Sequence, residues 1–220
     1  MTRHNASGAL YPLGRILALF GPVLVLALQA GCGAGAIELT RDEYERLPRE
    51  YRQEIFDAEN DVVIARNRLD EAREREVTAE RGKADLGPKW QRMSQRLSSA
   101  RLSAMIPKAR NAFDLNVECA TALVDVAHAA IGKAELDVRL NRARLHLVRQ
   151  RQLARIGRAT LASLKPFEDA VADLERSLKV ASSEEVESRA RVQSRLNAWK
   201  AAEDQYVAAT GDYDTGIWGD

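Results

Sequence analysis

Cysteine is nearly absent from this sequence: Cys32 and Cys119 are the only two in 220 residues, too few for a disulfide framework. Aromatic residues make up only 5% of the chain. The 13 glycines and 6 prolines are too sparse for a collagen repeat. Neither sign of charge dominates, because 33 Lys+Arg face 32 Asp+Glu and leave a net charge of +1. A chain so balanced exerts no global pull on nucleic acid or on an anionic membrane, so partners must be read from local charge. What is present in quantity is 45% hydrophobic and 30% charged residues, supplied mostly by Ala, Leu, Arg and Glu. That composition excludes wholesale disorder and belongs to long helices. The length fits one domain, or one with a small companion.

Catalytic and ligand motifs are equally scarce. There is no glycine-rich phosphate loop and no paired CxxC. A di-iron helical bundle needs two Glu-x-x-His pairs with further inward glutamates, whereas the chain offers one Asp125-x-x-His128 and a distant His146. Both histidines therefore read as partly buried helix residues rather than ligands. Cys119 makes no nucleophile motif with them and adjoins Phe113, Val117, Ala120 and Val124, so it reads as a small buried hydrophobe. An intermolecular disulfide through it stays open. The final GDYDTGIWGD has two aspartates at calcium-loop spacing, Asp212 and Asp214, and then loses the pattern; it reads as a flexible tail. No catalytic, metal or cofactor-binding residue is expected, and the chain is not expected to be an enzyme.

The first forty residues carry an address. Arg3 and Arg15 precede an uncharged run over 16–30, ILALFGPVLVLALQA, followed by the small-residue stretch GCGAGA. This is the order of a secretory signal, and the run is short of the roughly 20 apolar residues that a spanning helix needs. Residues 28–32, LQAGC, resemble the lipobox of bacterial lipoproteins, with Ala30 and Gly31 before the cysteine and Gln29 where that family usually has Leu. The resemblance covers the first 32 residues. It implies acylation of Cys32, which becomes the mature N-terminus, and a bacterial envelope location. Gly33 after the cysteine points to the outer membrane. The alternative is an ordinary cut after Ala34-Gly35-Ala36, which would leave a secreted or periplasmic soluble protein.

Beyond the signal, helix dominates. Thr40 and Glu43 form a capping box, and Pro48 suits a first helical turn. Ile55, Ala58, Val62, Ala65, Leu69, Ala72 and Ala79 repeat with 3,4 spacing, interrupted only by Glu76. Alanine fills every seventh position, which lets a neighbouring helix approach closely. A second stripe sets Val117, Val124, Ile131, Val138 and Leu145 against Ala120, Ala127, Ala134, Asn141 and Val148. Gly87-Pro88 is expected to end the first helix, with 89–106 a short connecting helix and Pro107 a kink or stop. A third long helix is expected from Pro166, through Phe167, Val171, Leu174 and Leu178, to a stop at Gly211, with a break or solvated stretch at 182–188.

Charge then selects how the helices pair. From 138 to 167 there is no acidic residue, while Arg139, Arg142, Arg144, Arg149, Arg151, Arg155, Arg158 and Lys165 are positive. The segments 42–61 and 168–187 are rich in Asp and Glu. Antiparallel pairing with a connector sets 42–61 beside 138–157, and a turn near 164–166 folds 168–187 onto the same run. The basic run is therefore expected to be neutralised internally, with no nucleic-acid partner.

These observations point to an all-α, elongated, antiparallel, coiled-coil-like three-helix bundle with a short connecting helix. The expected divisions are a signal peptide at 1–31, a linker at 32–40, the helical domain at 41–210 and a tail at 211–220. The function expected is that of a non-enzymatic envelope lipoprotein, a periplasmic scaffold or protein-binding module anchored to the bilayer through Cys32. Its protein partner is unidentified and homo-oligomerisation remains open. The alternative is a periplasmic coiled-coil chaperone or adaptor for envelope or efflux assembly. An apolar groove left after the stripes pair would favour that alternative, and a closed bundle the scaffold.

Overall fold

The computed structural model describes residues 38–98 and 103–211. The signal segment, the acylation candidate Cys32 and the tail beyond Gly211 lie outside the described residues. A short helix, α1 (Arg41–Arg46), leads through the buried Leu47 and Pro48 into α2 (Arg49–Leu97). A 3-10 turn at Ser103–Met105 precedes α3 (Ile106–Arg155), and a second at Leu161–Leu164 precedes α4 (Lys165–Thr210). No strand occurs among the described residues. Each long helix spans about 70 Å or more at 1.5 Å per residue.

Helix α2 corrects one expectation. It does not end at Gly87-Pro88; Pro88 lies inside it, and 89–97 is its last segment rather than a separate connector. The reason is phase. Ala72, Ala79, Leu86 and Met93 fall seven residues apart, with Trp90 and Leu97 at the alternate positions, so the apolar seam crosses Pro88 without a shift. Pro88 removes one N–H and orphans the Ala84 carbonyl. Both residues are exposed, where water can satisfy that carbonyl. The chain link that remains after α2 is the 3-10 turn at Ser103–Met105.

The other ends obey local chemistry. Pro107 and Pro166 sit in the first turns of α3 and α4, where a missing N–H costs nothing, so Pro107 starts a helix instead of kinking one. At the end of α3 the Arg158 amide donates to the Leu153 carbonyl at 2.8 Å and Gly157 to Ala154 at 3.1 Å. This paired closure requires a left-handed residue, and Gly157 supplies it at φ 75°. Gly211, at φ 66°, ends α4 as expected. The expected break at 182–188 is absent, because Glu185 and Ser188 occupy the buried seam positions of an unbroken helix.

The three long helices form the expected antiparallel bundle, with α3 central and α2 and α4 each packed chiefly against it. Between α2 and α3, Glu54 meets Arg155 at 3.0 Å, Arg68 meets Asp137 at 3.3 Å, and Trp90 stacks on Phe113 with centroids 4.8 Å apart. Between α3 and α4, Arg151 meets Glu168, Lys133 meets Glu185, and Arg195 meets Glu118. Near the turn joining α2 to α3, Met93, Leu97, Ala109 and Tyr206 form a core shared by all three helices.

Candidate functional site

Because α2 and α4 both lean on α3 rather than on each other, a trough opens between them with α3 as its floor. It is a groove of about 890 Å³. Ala120, Leu123, Ala127 and Ala130 of α3 make the floor; Ala79, Gly82 and Leu86 make the α2 wall; Val192, Leu196 and Trp199 make the α4 wall. Small residues on the floor keep the trough deep. Leu123 stands in it 46% exposed, an apolar side chain with no covering helix. Lys83 and Lys89 also line it, with Glu71, Glu74 and Arg75 nearer the start of α2 and Arg189 on α4. Cys119 also lines the groove but is itself buried, and burial pushes its thiol pKa up, which disfavours the nucleophilic thiolate.

Outside the groove, ion pairs line both seams. Arg149 bonds Glu59 at 2.7 Å, Arg158 reaches Glu43 at 3.2 Å and Arg144 bonds Glu175 at 2.8 Å, while Lys165 bonds Asp169 at 2.8 Å within α4 itself. Arg155 also lies over the Tyr51 ring, 4.5 Å from its centroid. Gln152, fully buried, donates to Glu54 at 2.6 Å. The basic run is thus clasped by acidic side chains from α1, α2 and α4. Arg139 and Arg142 remain on the exposed face.

Across α3 and α4, part-exposed Lys133 bonds the buried Glu185 carboxylate at 2.8 Å. The Lys133 hydrogen bond is the main reason the Glu185 carboxyl lies below its ordinary pKa; burial opposes the shift, and Arg189 adds to it from one turn away.

The histidines differ from expectation in one respect: both His128 and His146 are exposed rather than partly buried. His128 Nε2 lies 2.9 Å from Glu76 Oε1, which ties α3 to the one charged interruption in the α2 stripe between Ile55 and Ala79. Glu80, one turn further along α2, joins them. His128 thus pairs not with Asp125, three residues away in sequence, but with Glu76 on another helix, with Glu80 close by. Sequence spacing could not reveal that convergence, although Glu76 breaking an apolar stripe was a visible irregularity.

Among the described residues no helix is long and apolar enough to cross a membrane. The chain matches no protein-family model, no curated protein and no solved structure.

Proposed function

We propose that the chain is a non-enzymatic envelope lipoprotein, anchored by acyl chains on Cys32 to the periplasmic face of the outer membrane, whose helical body binds a partner protein. The open apolar groove is the observation that carries the binding reading. Its α2 lining, from Glu71 to Lys89, covers about 27 Å of helix, or roughly five turns. Such a trough matches the apolar face of an amphipathic helix, which would complete a fourth edge of the bundle. Internal pairing of the basic run supports a protein rather than a nucleic-acid partner.

The groove equally favours the chaperone or adaptor reading, because clients can be gripped between helical arms. The two differ in occupancy: a dedicated partner gives one adduct, a chaperone many. A photo-crosslinking amino acid at Leu123 in the full-length protein, in intact envelopes, separates them. A single adduct mapped to an amphipathic segment, and lost when Ala127→Arg fills the floor, supports the binding module. A ladder of unrelated adducts supports the chaperone. Crosslinking no greater than from Val180, exposed and outside the groove lining, removes the groove from the function.

Anchoring has its own test. Labelling with a palmitate analogue should mark the protein and vanish in Cys32→Ser, and Gln29→Leu should speed processing. Label that persists in Cys32→Ser, or a mature N-terminus at Ile37, would refute acylation there.

A further inference from the structure

Two helices bring three potential ligands to one point on the surface. Glu76 and Glu80 are four residues apart on α2 and share a face; His128 meets them from α3. One ligand atom from each lies within 4.8 Å of the other two. Glu76 is half-buried in the seam and held by the imidazole at 2.9 Å, while Glu80 and His128 are exposed. Glu80 makes no hydrogen bond or ion pair with any described residue. One imidazole nitrogen and two carboxylates thus converge as a mixed nitrogen and oxygen donor set on two helices.

We propose that Glu76, Glu80 and His128 form a binding site for a divalent first-row transition cation, with Zn²⁺ the best match. Imidazole with carboxylates suits Zn²⁺, whose N and O ligands stand about 2.0 to 2.2 Å away and commonly number three with water in a fourth position. Mg²⁺ and Ca²⁺ prefer oxygen ligands alone. The donors sit on rigid helices, so small side-chain rotations suffice to close the set. The bound ion would cross-link α2 to α3 through a metal clip. None of the three residues lines the groove, so the site stands or falls independently of the proposed partner binding.

The test uses the untagged full-length protein, stripped with a chelator and titrated with ZnCl₂ by calorimetry, with CoCl₂ as a spectroscopic substitute. The expected result is one Zn²⁺ bound per chain, a visible Co²⁺ absorption band displaced by Zn²⁺ but not by Mg²⁺, and a melting temperature that rises with free Zn²⁺. Loss of an outer-shell partner typically weakens metal binding about 10- to 100-fold, so Glu80→Gln and His128→Ala, at exposed positions that spare the fold, should each cost at least about tenfold. A variant at the other histidine of the helical body, His146→Ala, should bind like wild type. Absence of binding, binding undiminished in Glu80→Gln and His128→Ala, or equal competition by Mg²⁺ would overturn the proposal.

Discussion

The two seams of α3 follow the same 3,4 periodicity and differ in what they bury. Against α2, Ile55 and Ala65 are each 1% exposed and Val62 and Ala72 are also buried. Against α4, Phe167, Val171, Leu174 and Leu178 are only half-buried, and the buried side chains midway along that helix are Glu185 and Ser188. Alanines at every seventh position of α2 let its backbone approach α3, so Ile55 and Val62 between them are sealed, while Leu69 is half-buried. Helix α4 has bulkier residues in its first half and polar ones at mid-length, and it leaves one side open to the groove. A heptad pattern therefore identifies the face that turns inward, while the depth of burial depends on the size of its residues and on whether a third helix covers it.

The sharpest way to break this contrast is truncation on each side. Ile55→Ala should cost about 2 to 5 kcal/mol, the range for a sealed aliphatic side chain, whereas Leu174→Ala should cost about 1 kcal/mol because less area leaves water. Denaturant midpoints for the two variants measure the difference; equal losses would mean that the seams are equivalent. Next in size is overpacking. Ala65→Leu should destabilise by about 1 to 3 kcal/mol, and Ala181→Leu on half-buried α4 should stay within about 0.5 kcal/mol. Unchanged melting in Ala65→Leu would deny the close approach of α2.

Acid tests the polar middle of the α3–α4 seam. The folded state favours charged Glu185 through Lys133, so its pKa is lower folded than unfolded. Its contribution is full above the unfolded carboxylate range near about 4.3 and disappears as pH falls through the lower folded value. Lys133→Ala should cost about 1 kcal/mol at neutral pH and less in acid. Glu185→Leu restores an apolar seam position and should melt no lower than wild type while losing part of the acid sensitivity. Identical acid profiles for wild type and Glu185→Leu would remove this pair from the account. The smallest effect is expected at the rim: Glu175→Lys should cost on the order of 1 kcal/mol or less, since its bond to Arg144 is solvated, and added salt should shrink the loss as screening sets in over about 8 Å. A loss unchanged by salt would indicate packing rather than charge.

Much of the scaffold was legible before any coordinates. The alanine-bearing stripe of α2 is on the buried side, and complementary charge set the right segments side by side, 42–61 along 138–157 and 168–187 onto the same run; the structure adds the individual pairs, Glu54 with Arg155, Glu59 with Arg149, Glu168 with Arg151 and Glu175 with Arg144. Local breaker rules misled at Pro88, where the phase of Ala79, Leu86 and Met93 outweighed a single lost hydrogen bond. The lapse of the apolar stripe misled at 182–188, where Glu185 finds Lys133 across the interface and Ser188 accepts from Arg191 on its own helix instead of interrupting it. The groove was legible only as a condition, because an open trough depends on how far α2 stands from α4, a distance that no single helix encodes. The Glu76–Glu80–His128 cluster depends on the α2–α3 register at one level of the bundle. Spacing within one segment does not contain that information.

Three long passes also have a mechanical consequence. An odd number of antiparallel crossings makes α2 begin at the end of the bundle where Glu54 meets Arg155, and α4 finish at the opposite end, where Tyr206 meets Met93 and Ala109. Tension applied between Arg41 and Thr210 therefore runs along the rod and slides α2 and α4 past α3. Many seam contacts along each helix then share the load at once, instead of parting one after another as in an unzipped hairpin. Tension between the two ends of the helical body is therefore met in shear.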